Sequence, residues 1–317
     1  MKKKDQAPRW FGGILTNFNN HLRLTRILQL LLYRVKSSKL LLSNECVNCC
    51  LNYFIKDMIM KKKFLYCFAI AAVFVSLKVN AQQKGGDPKE TEYYTPVPKI
   101  VTPGKEHAAP SDAIVLFDGS SLNEWVSSNK PSEPAQWILD NGAITVNKKA
   151  GDIQTKRTFT DYQLHIEYKI PANITGSGQA RGNSGIFLAS VPGGAEGYEL
   201  QVLDNYNNTT YVNGQAGSIY KQNPPLVNAC LPPGEWQMYD VIWTAPRFAE
   251  NGTLVSPAKV TVLHNGVLVQ NNFILKGDTP YIGQPAYHAH GAAPIRLQAH
   301  GDKSEPISYR NIWLRPL

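Results

Sequence analysis

One stretch of the sequence combines the residue types of acid–base chemistry with the spacing of a β-strand. Residues 198–204 read Tyr-Glu-Leu-Gln-Val-Leu-Asp, so Glu199 and Gln201 share one face of the predicted strand and Asp204 follows at its end. The apolar run that begins at Ile186 predicts a second strand nearby. Two strands with polar groups on one side indicate a shallow trough of about the size of a sugar. An ordinary half-exposed strand is the alternative, because polar faces of period two are common in antiparallel sheets.

Three histidines follow near the end of the chain, and their spacing suggests a second chemical group. His288 and His290 form a His-x-His pair, and His300 comes ten residues after His290. Imidazoles on one side of an extended segment suit a divalent metal, which acts as a Lewis acid. A bare His-x-His is not diagnostic, so histidines in surface loops are an equally good interpretation.

The net charge of the 317-residue chain is +9, but the excess is confined to its beginning. Residues 1–81 hold 14 of the 33 Lys and Arg and three of the 24 Asp and Glu, which leaves 19 basic and 21 acidic residues elsewhere. The body of the protein therefore lacks the basic surface that a nucleic acid requires.

A basic cluster and an apolar run near residue 60 predict a secretory signal peptide. Lys61, Lys62 and Lys63 precede the run 64–77, and Ala81 ends a cleavage site of small residues. The run is too short for a membrane span, which needs roughly 20 residues. The sequence therefore predicts a start at Met58 or Met60, an over-extended reading frame over 1–57, a signal peptide over 58–81 and an exported mature protein, periplasmic or extracellular.

The mature chain divides into a leader and one domain. Residues 82–112 are rich in proline and polar residues and predict an extended leader. From residue 113 to 317 the chain alternates short apolar runs with turn residues, including the hairpin signals Asn141-Gly142 and Asn265-Gly266. Such a pattern predicts an all-β sandwich of two antiparallel sheets, a jelly roll. Cys230 is the single cysteine after residue 81, so an internal disulfide is not expected.

The order of several short motifs resembles one family of exported bacterial domains. The motifs are Leu116-Phe117-Asp118-Gly119, Gly182-Asn183-Ser184-Gly185-Ile186, Tyr198-Glu199-x-Gln201-x-Leu203-Asp204, Gly217-Ser218-Ile219-Tyr220, Leu297-Gln298-x-His300-Gly301 and Arg310-Asn311-Ile312-Trp313. The family is that of the 3-keto-disaccharide hydrolases, also described as 3-keto-glucoside 1,2-lyases and hydratases and formerly as domain of unknown function 1080. The resemblance spans about residues 113–317.

This resemblance implies a concanavalin-A-like jelly roll with its site on the concave sheet. It also implies a sugar substrate whose C3 hydroxyl has been oxidised to a ketone by a separate 3-dehydrogenase upstream in the same pathway. His290-Gly291 and His300-Gly301 resemble family positions, which ranks these histidines above His288. One position departs from the family, in which Asp often precedes the His of Leu-Gln-x-His-Gly and which here has Ala299. If that carboxylate orients His300 or helps to bind a metal, a weaker or differently tuned enzyme is expected.

The chemistry of such a substrate assigns roles to the candidate residues. A 3-ketone acidifies the C2–H bond, so a base can remove that proton, the C1 substituent can leave by β-elimination, and water can add to the product. The route needs a base, an acid for the leaving group and an electrophile for the enolate oxygen. We predict Glu199, His290 and His300 as catalytic residues, with His290 and His300 as metal ligands if a divalent ion is present.

Six further residues are predicted to bind the substrate, and no nucleotide cofactor is expected. The predicted contacts are Arg181, Asn183, Gln201, Asp204, Tyr220 and Lys221. Lys221 or Arg181 would stabilise the enolate in the absence of a metal. The glycines of 176–178 lack the strand–loop–helix context of a nucleotide site.

Two other functions remain open at the level of the sequence. The same fold serves as a non-catalytic carbohydrate-binding module as readily as an enzyme. A conventional retaining glucanase is less favoured, because the strand carries Glu199, Gln201 and Leu203 where such enzymes have two catalytic carboxylates.

Overall fold

The computed structural model describes residues 56–57, 59–60, 86–191 and 197–317. The chain divides into two compact units, residues 1–96 and 97–317. The first unit contributes one described 3₁₀ turn, Pro88–Thr91, which Asp87 caps by accepting a hydrogen bond from the Lys89 amide. Residues 1–55 of the predicted extra reading frame, and residues 58 and 61–81 of the predicted signal peptide, lie outside the described residues.

Residues 97–317 form fifteen strands and no α-helix within the ranges that are described. The strands are β1 (Ile114–Phe117), β2 (Trp125–Ser127), β3 (Ile138–Asp140), β4 (Ala143–Thr145), β5 (Ile153–Thr155), β6 (Tyr162–Lys169), β7 (Ser184–Phe187), β8 (Glu199–Val202), β9 (Trp236–Thr244), β10 (Arg247–Phe248), β11 (Leu254–Ser256), β12 (Lys259–His264), β13 (Val267–Ile274), β14 (Arg296–Leu297) and β15 (Ser308–Pro316). Two 3₁₀ turns, Gly178–Ala180 and Val212–Gly214, lie in the connections.

The strands form two antiparallel sheets and a small ribbon. One sheet has eight strands in the order β13-β12-β9-β6-β15-β4-β3, with β1 added on β15, and the other has five in the order β2-β5-β14-β7-β8. Strands β10 and β11 form the separate ribbon. The jelly-roll sandwich expected from the sequence is therefore confirmed. Among the described helices, none has the length and hydropathy needed to cross a membrane.

The alternation of apolar residues along the strands explains how the two sheets pack against each other. In β6, Tyr162, Leu164, Ile166 and Tyr168 are fully buried in the core that also holds Ile186 and Leu200 of the smaller sheet. The hairpins β3–β4 and β12–β13 turn at the two Asn-Gly pairs, whose residues all have positive φ, as this tight turn requires.

Core tyrosines of the eight-stranded sheet hold β7 and β8 in place. The Tyr239 hydroxyl donates to the Gln201 carbonyl at 2.9 Å, and the Tyr309 hydroxyl lies 2.8 Å from the Ser184 hydroxyl. Both bonds are buried between the sheets, where an unmade hydrogen bond is costly. The opposite face of β7 and β8 is thereby fixed in position.

Candidate active site

The register of β14, β7 and β8 arranges polar side chains in two adjacent rows on the outer face of the smaller sheet. Phe187 pairs with Arg296 on one side and with Glu199 on the other. Gly185 pairs with Gln201, and its carbonyl accepts a hydrogen bond from the Gln298 amide nitrogen at 2.9 Å. Because alternate residues face the same side, Leu200 and Val202 enter the core while Glu199 and Gln201 face outward. The sequence prediction for this strand is confirmed.

Gly185 provides the space that the Glu199 side chain occupies. A Cβ atom at residue 185 would lie 2.5 Å from Oε1 of Glu199 and 3.1 Å from its Cδ. No other residue type fits there without moving the carboxylate. Glu199 is therefore held across β7, with only 6% of its surface exposed.

Hydrogen bonds among the side-chain amides of Gln179, Gln201 and Asn183 determine how the Gln201 amide is oriented. Nε2 of Gln179 donates to the Gly214 carbonyl at 2.7 Å, which turns its Oε1 toward Gln201. Nε2 of Gln201 then donates to Oε1 of Gln179 at 3.3 Å and to Oδ1 of Asn183 at 3.1 Å. Nδ2 of Asn183 donates to the Gln179 carbonyl at 2.8 Å. Since backbone carbonyls only accept, these bonds fix all three amide orientations.

This network leaves the side-chain carbonyl oxygen of Gln201 without a protein partner, and that of Gln298, outside the network, has none either. Oε1 of Gln201 and Oε1 of Gln298 are buried and accept no hydrogen bond from the protein. Gln201 is 1% exposed, and an unsatisfied buried acceptor costs about 1–3 kcal/mol. Two such acceptors on either side of Gly185 match a ligand that carries hydroxyl donors.

These side chains line a pocket of about 200 Å³, the site pocket. Its lining residues are Asn183, Phe187, Glu199, Gln201, Tyr220, Thr279, Tyr281, Gln298 and His300. The pocket thus brings together five of the nine residues that the sequence nominated.

His300 enters the site pocket with its ring held from behind by a carboxylate. Its Nδ1 lies 2.8 Å from Oδ2 of Asp302, and its Nε2 lies 3.5 Å from Nδ2 of Asn183. Burial alone would raise the pKa of Asp302, but hydrogen bonds from His300, Ser304 and Lys148 hold that pKa well below its usual range. Asp302 is therefore ionised and accepts a hydrogen bond from Nδ1, which orients the imidazole ring.

Lys148 fixes the turn that carries Asp302. Its ammonium group contacts Oδ1 of Asp302 at 3.1 Å and donates to the carbonyls of Asp302 and Ser304, each at 2.8 Å. The carboxylate that the sequence motif lacks at Ala299 is thus supplied two residues after the histidine.

Tyr220 reaches the site pocket because its segment covers the edge of β8. The Tyr220 amide donates to the Glu199 carbonyl at 3.1 Å, and the Gln201 amide donates to the Ser218 carbonyl at 3.0 Å. Burial, followed by the neighbouring Tyr211 and Glu199, raises the pKa of Tyr220 well above its usual range. Its hydroxyl therefore stays protonated and lies 2.6 Å from that of Tyr211.

Arg181 and Asp204 lie outside the lining of the site pocket and pair with each other. Nε of Arg181 donates to Oδ2 of Asp204 at 2.6 Å, and its guanidinium also donates to the Ile174 carbonyl. The pair supports the chain around β7 and β8 rather than lining the site pocket. Lys221 also lies outside that lining, and its ammonium group donates to the Tyr281 carbonyl.

His290 has a different environment from His300. Its Nε2 lies 3.0 Å from the Tyr198 hydroxyl and its Nδ1 lies 2.8 Å from the Gly291 carbonyl, so both nitrogens have protein partners. His290 does not line the site pocket. Within residues 86–191 and 197–317, no group of three or more His, Cys, Asp or Glu side chains is arranged to hold a metal ion. The His290–His300 metal site stays a prediction.

Four pocket residues were not nominated from the sequence. Phe187 lies on the same face of β7 as Gly185, and Gln298 follows β14 directly, with its backbone amide bonded to Gly185, so both follow from alternation once the strand pairing is known. Thr279 and Tyr281 belong to an irregular connection, where no sequence pattern indicates a functional site. The Thr279 hydroxyl accepts a hydrogen bond from the Glu199 amide at 3.2 Å, which anchors this connection at the start of β8.

Known proteins are similar to this chain in fold and in sequence. A solved structure described as a putative glycosyl hydrolase from Parabacteroides distasonis is 54% identical, with a TM-score of 0.69 over 74% of this chain and 99% of that one. A 3-keto-disaccharide hydrolase from Bacteroides thetaiotaomicron is 28% identical over an alignment of 216 positions, which covers 56% of this chain and 71% of that protein. The family model described as the 3-keto-alpha-glucoside-1,2-lyase-like domain matches residues 112–315, which include every residue of the site pocket. The chain therefore belongs to the family of 3-keto-alpha-glucoside-1,2-lyase-like domains.

Proposed function

We propose that this carbohydrate hydrolase cleaves 3-keto-glycosides by elimination followed by hydration, with net hydrolysis. One observation carries the proposal. A carboxylate, Glu199, and an imidazole backed by a carboxylate, His300, line the same pocket as two unpartnered amide carbonyls. Two proton-transfer groups beside a hydroxyl-binding wall are what this route requires.

The donors and acceptors of the site pocket orient the sugar. A ketone oxygen only accepts hydrogen bonds, so it cannot satisfy the acceptors Gln201 and Gln298, which bind free hydroxyls instead. The ketone then faces the protonated hydroxyl of Tyr220. That hydroxyl donates to the oxygen on which negative charge develops when the enolate forms.

In the elimination step, Glu199 accepts the proton from C2 and the electron pair forms the enolate. The C1–O bond breaks, and His300, as the imidazolium, gives its Nε2 proton to the departing oxygen. Asp302 stabilises that imidazolium through Nδ1. The step leaves Glu199 protonated, His300 neutral and a double bond between C1 and C2.

The hydration step restores both groups. Neutral His300 takes a proton from the water that attacks C1, and Glu199 returns its proton to C2. One water molecule is consumed and no oxidant, reductant or metal is needed. Glu199 and His300 therefore exchange roles between the two steps. Glu199 is the base in the elimination and the acid in the hydration, and His300 is the reverse.

The cellular setting is also proposed. The pattern of residues 58–81 supports export to the periplasm or beyond, and the 3-ketone requires an upstream sugar 3-dehydrogenase. Both follow from the sequence pattern and from the chemistry of the substrate.

The test compares a 3-keto-glucoside with its parent glucoside, using purified residues 82–317. We expect release of the leaving group from the ketone alone, because the parent lacks the acidic C2–H. Equal rates would favour a conventional glucanase, and binding of the ketone without turnover would favour a carbohydrate-binding module. Repeating the assay after exhaustive chelation tests whether turnover requires a metal ion. If proton transfer by Glu199 and His300 is sufficient, turnover should be unchanged.

A further inference from the structure

An arginine that the steps above do not use lies beside the site pocket. Arg296 belongs to β14 and alternates with Leu297, which is fully buried in the core, so the Arg296 side chain projects from the outer face of the smaller sheet. The central carbon of its guanidinium, Cζ, lies 3.8 Å from the centroid of the Phe187 ring. Because Phe187 lines the site pocket, the guanidinium lies over β7 at the wall of that pocket.

The Glu199 side chain approaches the same place from the opposite strand. Its carboxylate lies over β7 at Gly185, where a Cβ atom would be 2.5 Å from Oε1. Gly185 and Phe187 share one face of β7, with about 7 Å between their Cα atoms. Phe187 pairs with Arg296 on one side and with Glu199 on the other. The guanidinium and the carboxylate therefore converge above the same short strand.

One edge of the guanidinium is held by a second carboxylate. Nη1 of Arg296 donates to Oδ2 of Asp152 at 2.9 Å, and Oδ1 of Asp152 accepts a hydrogen bond from the Ala299 amide at 2.8 Å. The Arg296 side chain is 13% exposed, so its charge depends on protein groups more than on water. A guanidinium has five N–H donors in a planar fork, so it can serve carboxylates at two of its edges. The bond to Asp152 and the stack on Phe187 fix the plane of that fork.

A base that is nearly buried needs a nearby cation to stay ionised. Glu199 is 6% exposed, and burial favours the neutral carboxylic acid, which cannot accept the C2 proton. Among the described residues that line the site pocket, the other titratable side chains are Tyr220, Tyr281 and His300. The Tyr220 hydroxyl stays neutral because its burial raises its pKa. His300 gives its proton away in the elimination step, whereas Arg296 keeps its charge at every working pH.

We propose that Arg296 is a positioning residue for the base, whose guanidinium keeps the Glu199 carboxylate ionised and turned toward Gly185. This inference rests on the proposed function, because it names the group that keeps the proposed base active. Arg296 acts through Glu199 and does not contact the sugar.

The test compares the pH profiles of kcat/KM for the wild type, Arg296→Gln and Arg296→Lys on a 3-keto-glucoside. Arg296→Gln removes the charge, so the acid limb, which reports the ionisation of Glu199, should move to higher pH by about 1–3 units. Arg296→Lys keeps the charge, so its acid limb should stay close to that of the wild type. The matched control is Arg157→Gln, because Arg157 pairs with Glu124 and does not line the site pocket. Its profile should be unchanged.

The shape of the profile separates this role from a purely structural one. If Arg296 only packs on Phe187 and pairs with Asp152, its loss lowers activity equally at every pH. Recovery of Arg296→Gln toward the wild-type rate above its shifted acid limb supports the inference. An equal loss at every pH, an unmoved acid limb in Arg296→Gln, or an equal shift in Arg296→Lys overturns it.

A titration that needs no turnover distinguishes this inference from the proposed function. If the wild type cleaves no 3-keto-glycoside, the proposed function fails. Carbon-13 NMR of labelled glutamate then follows the Glu199 carboxyl in the wild type and in Arg296→Gln, and Glu199→Gln identifies its signal. The inference requires this carboxyl to titrate at lower pH in the wild type than in Arg296→Gln, and equal midpoints overturn it.

The wild type alone decides the inference if Arg296→Gln does not fold. A buried carboxyl without a cation beside it titrates above the value of a free glutamate, about 4.3. A midpoint at or below that value supports the role of Arg296, and a midpoint above it overturns that role.

Discussion

The orientation of the His300 ring depends on a carboxylate that the sequence motif does not predict. Asp302 contacts Nδ1, and Lys148 holds the turn that carries it. A carboxylate needs only to reach Nδ1 of the imidazole, so residue 302 performs the orienting role that residue 299 lacks. The expectation of a weaker enzyme, drawn from Ala299, rested on that role being unfilled.

Glu199 carries the first prediction at this scale. The Glu199→Gln variant keeps the size of the side chain and removes the carboxylate that we propose accepts the C2 proton. We expect turnover to fall by roughly 10²–10⁴-fold, the usual contribution of a positioned base, with a much smaller change in substrate affinity. Steady-state kinetics and the exchange of deuterium from C2 into solvent measure this.

The control for this variant is Glu133→Gln, which changes an exposed glutamate paired with Lys130. It should leave both turnover and exchange unaltered, and circular dichroism should report the same fold for all three proteins. If Glu199→Gln exchanges C2 deuterium as fast as the wild type, His300 becomes the base.

The residues that sequence reasoning found are those with a local signal. Glu199 and Gln201 follow from strand alternation, and His300 from its motif. Arg181 and Asp204 were nominated by type and neighbourhood, yet they neutralise each other. Their pairing joins residues 23 positions apart, a contact that depends on how β7 and β8 are connected. Charge type alone therefore does not separate a substrate contact from a supporting ion pair.

At the scale of elements, the site depends on the pairing of β7 with β8. The sequence predicted β8 and the hairpins at Asn141-Gly142 and Asn265-Gly266, because alternation and Asn-Gly turns are local signals. It missed β2 and β5, which have three residues each, although β5 separates β2 from β14 in the smaller sheet. The strand order, and with it the row through Gln298, Gly185 and Gln201, arises from long-range pairing that local patterns do not encode.

The second prediction tests this pairing through Gly185. In Gly185→Ala the new methyl group would lie 2.5 Å from Oε1 of Glu199, so the carboxylate must move. Gly185 is not among the residues with positive φ, so the backbone accepts alanine without strain. A displacement of about 1 Å predicts a loss of about 10²-fold in kcat/KM with the fold retained.

Gly291→Ala is the matched control for Gly185→Ala. Its Cβ would meet nothing within 4 Å, and its φ is also outside the positive range. It should keep the activity of the wild type. Full activity of Gly185→Ala would show that the position of Glu199 is not critical for turnover.

At the scale of the whole molecule, the outer face of the eight-stranded sheet is partly buried. The alternation of β6 places His165 and Glu167 away from the core, yet both are buried. His165 stacks between the rings of His107 and Trp313, with centroid distances of 5.7 and 5.2 Å. The His107 carbonyl also accepts hydrogen bonds from Asn311 and Trp313. The chain before β1 therefore covers this face, which composition alone did not indicate.

These buried groups make stability depend on pH in opposite directions. Burial opposes the protonation of His165, but its hydrogen bond to Asp240 and the Glu167 carboxylate 3.6 Å from its Nε2 outweigh burial and raise its pKa to about 8. Burial lowers the pKa of His264 to about 3. The stabilisation from His165 is complete below its unfolded value of about 6.5 and is lost as the pH rises through about 8. His264 has the opposite sign, since its unfolded form gains a proton below about 6.5.

The third prediction concerns the free energy of unfolding between about pH 7 and pH 8.5. His264 changes little in this window, whereas His165 loses its proton, so the wild type should lose roughly 1 kcal/mol. Urea unfolding at the two pH values measures this, with His165→Gln as the comparison.

The His165→Gln variant removes the titrating group at a side chain that is 1% exposed, so we expect a lower free energy of unfolding at both pH values. The difference between wild type and variant should shrink by the same roughly 1 kcal/mol as the pH rises, because His264 and the other groups are common to both. An unchanged difference would mean that the contacts of His165 with Asp240 and Glu167 do not favour its charged form.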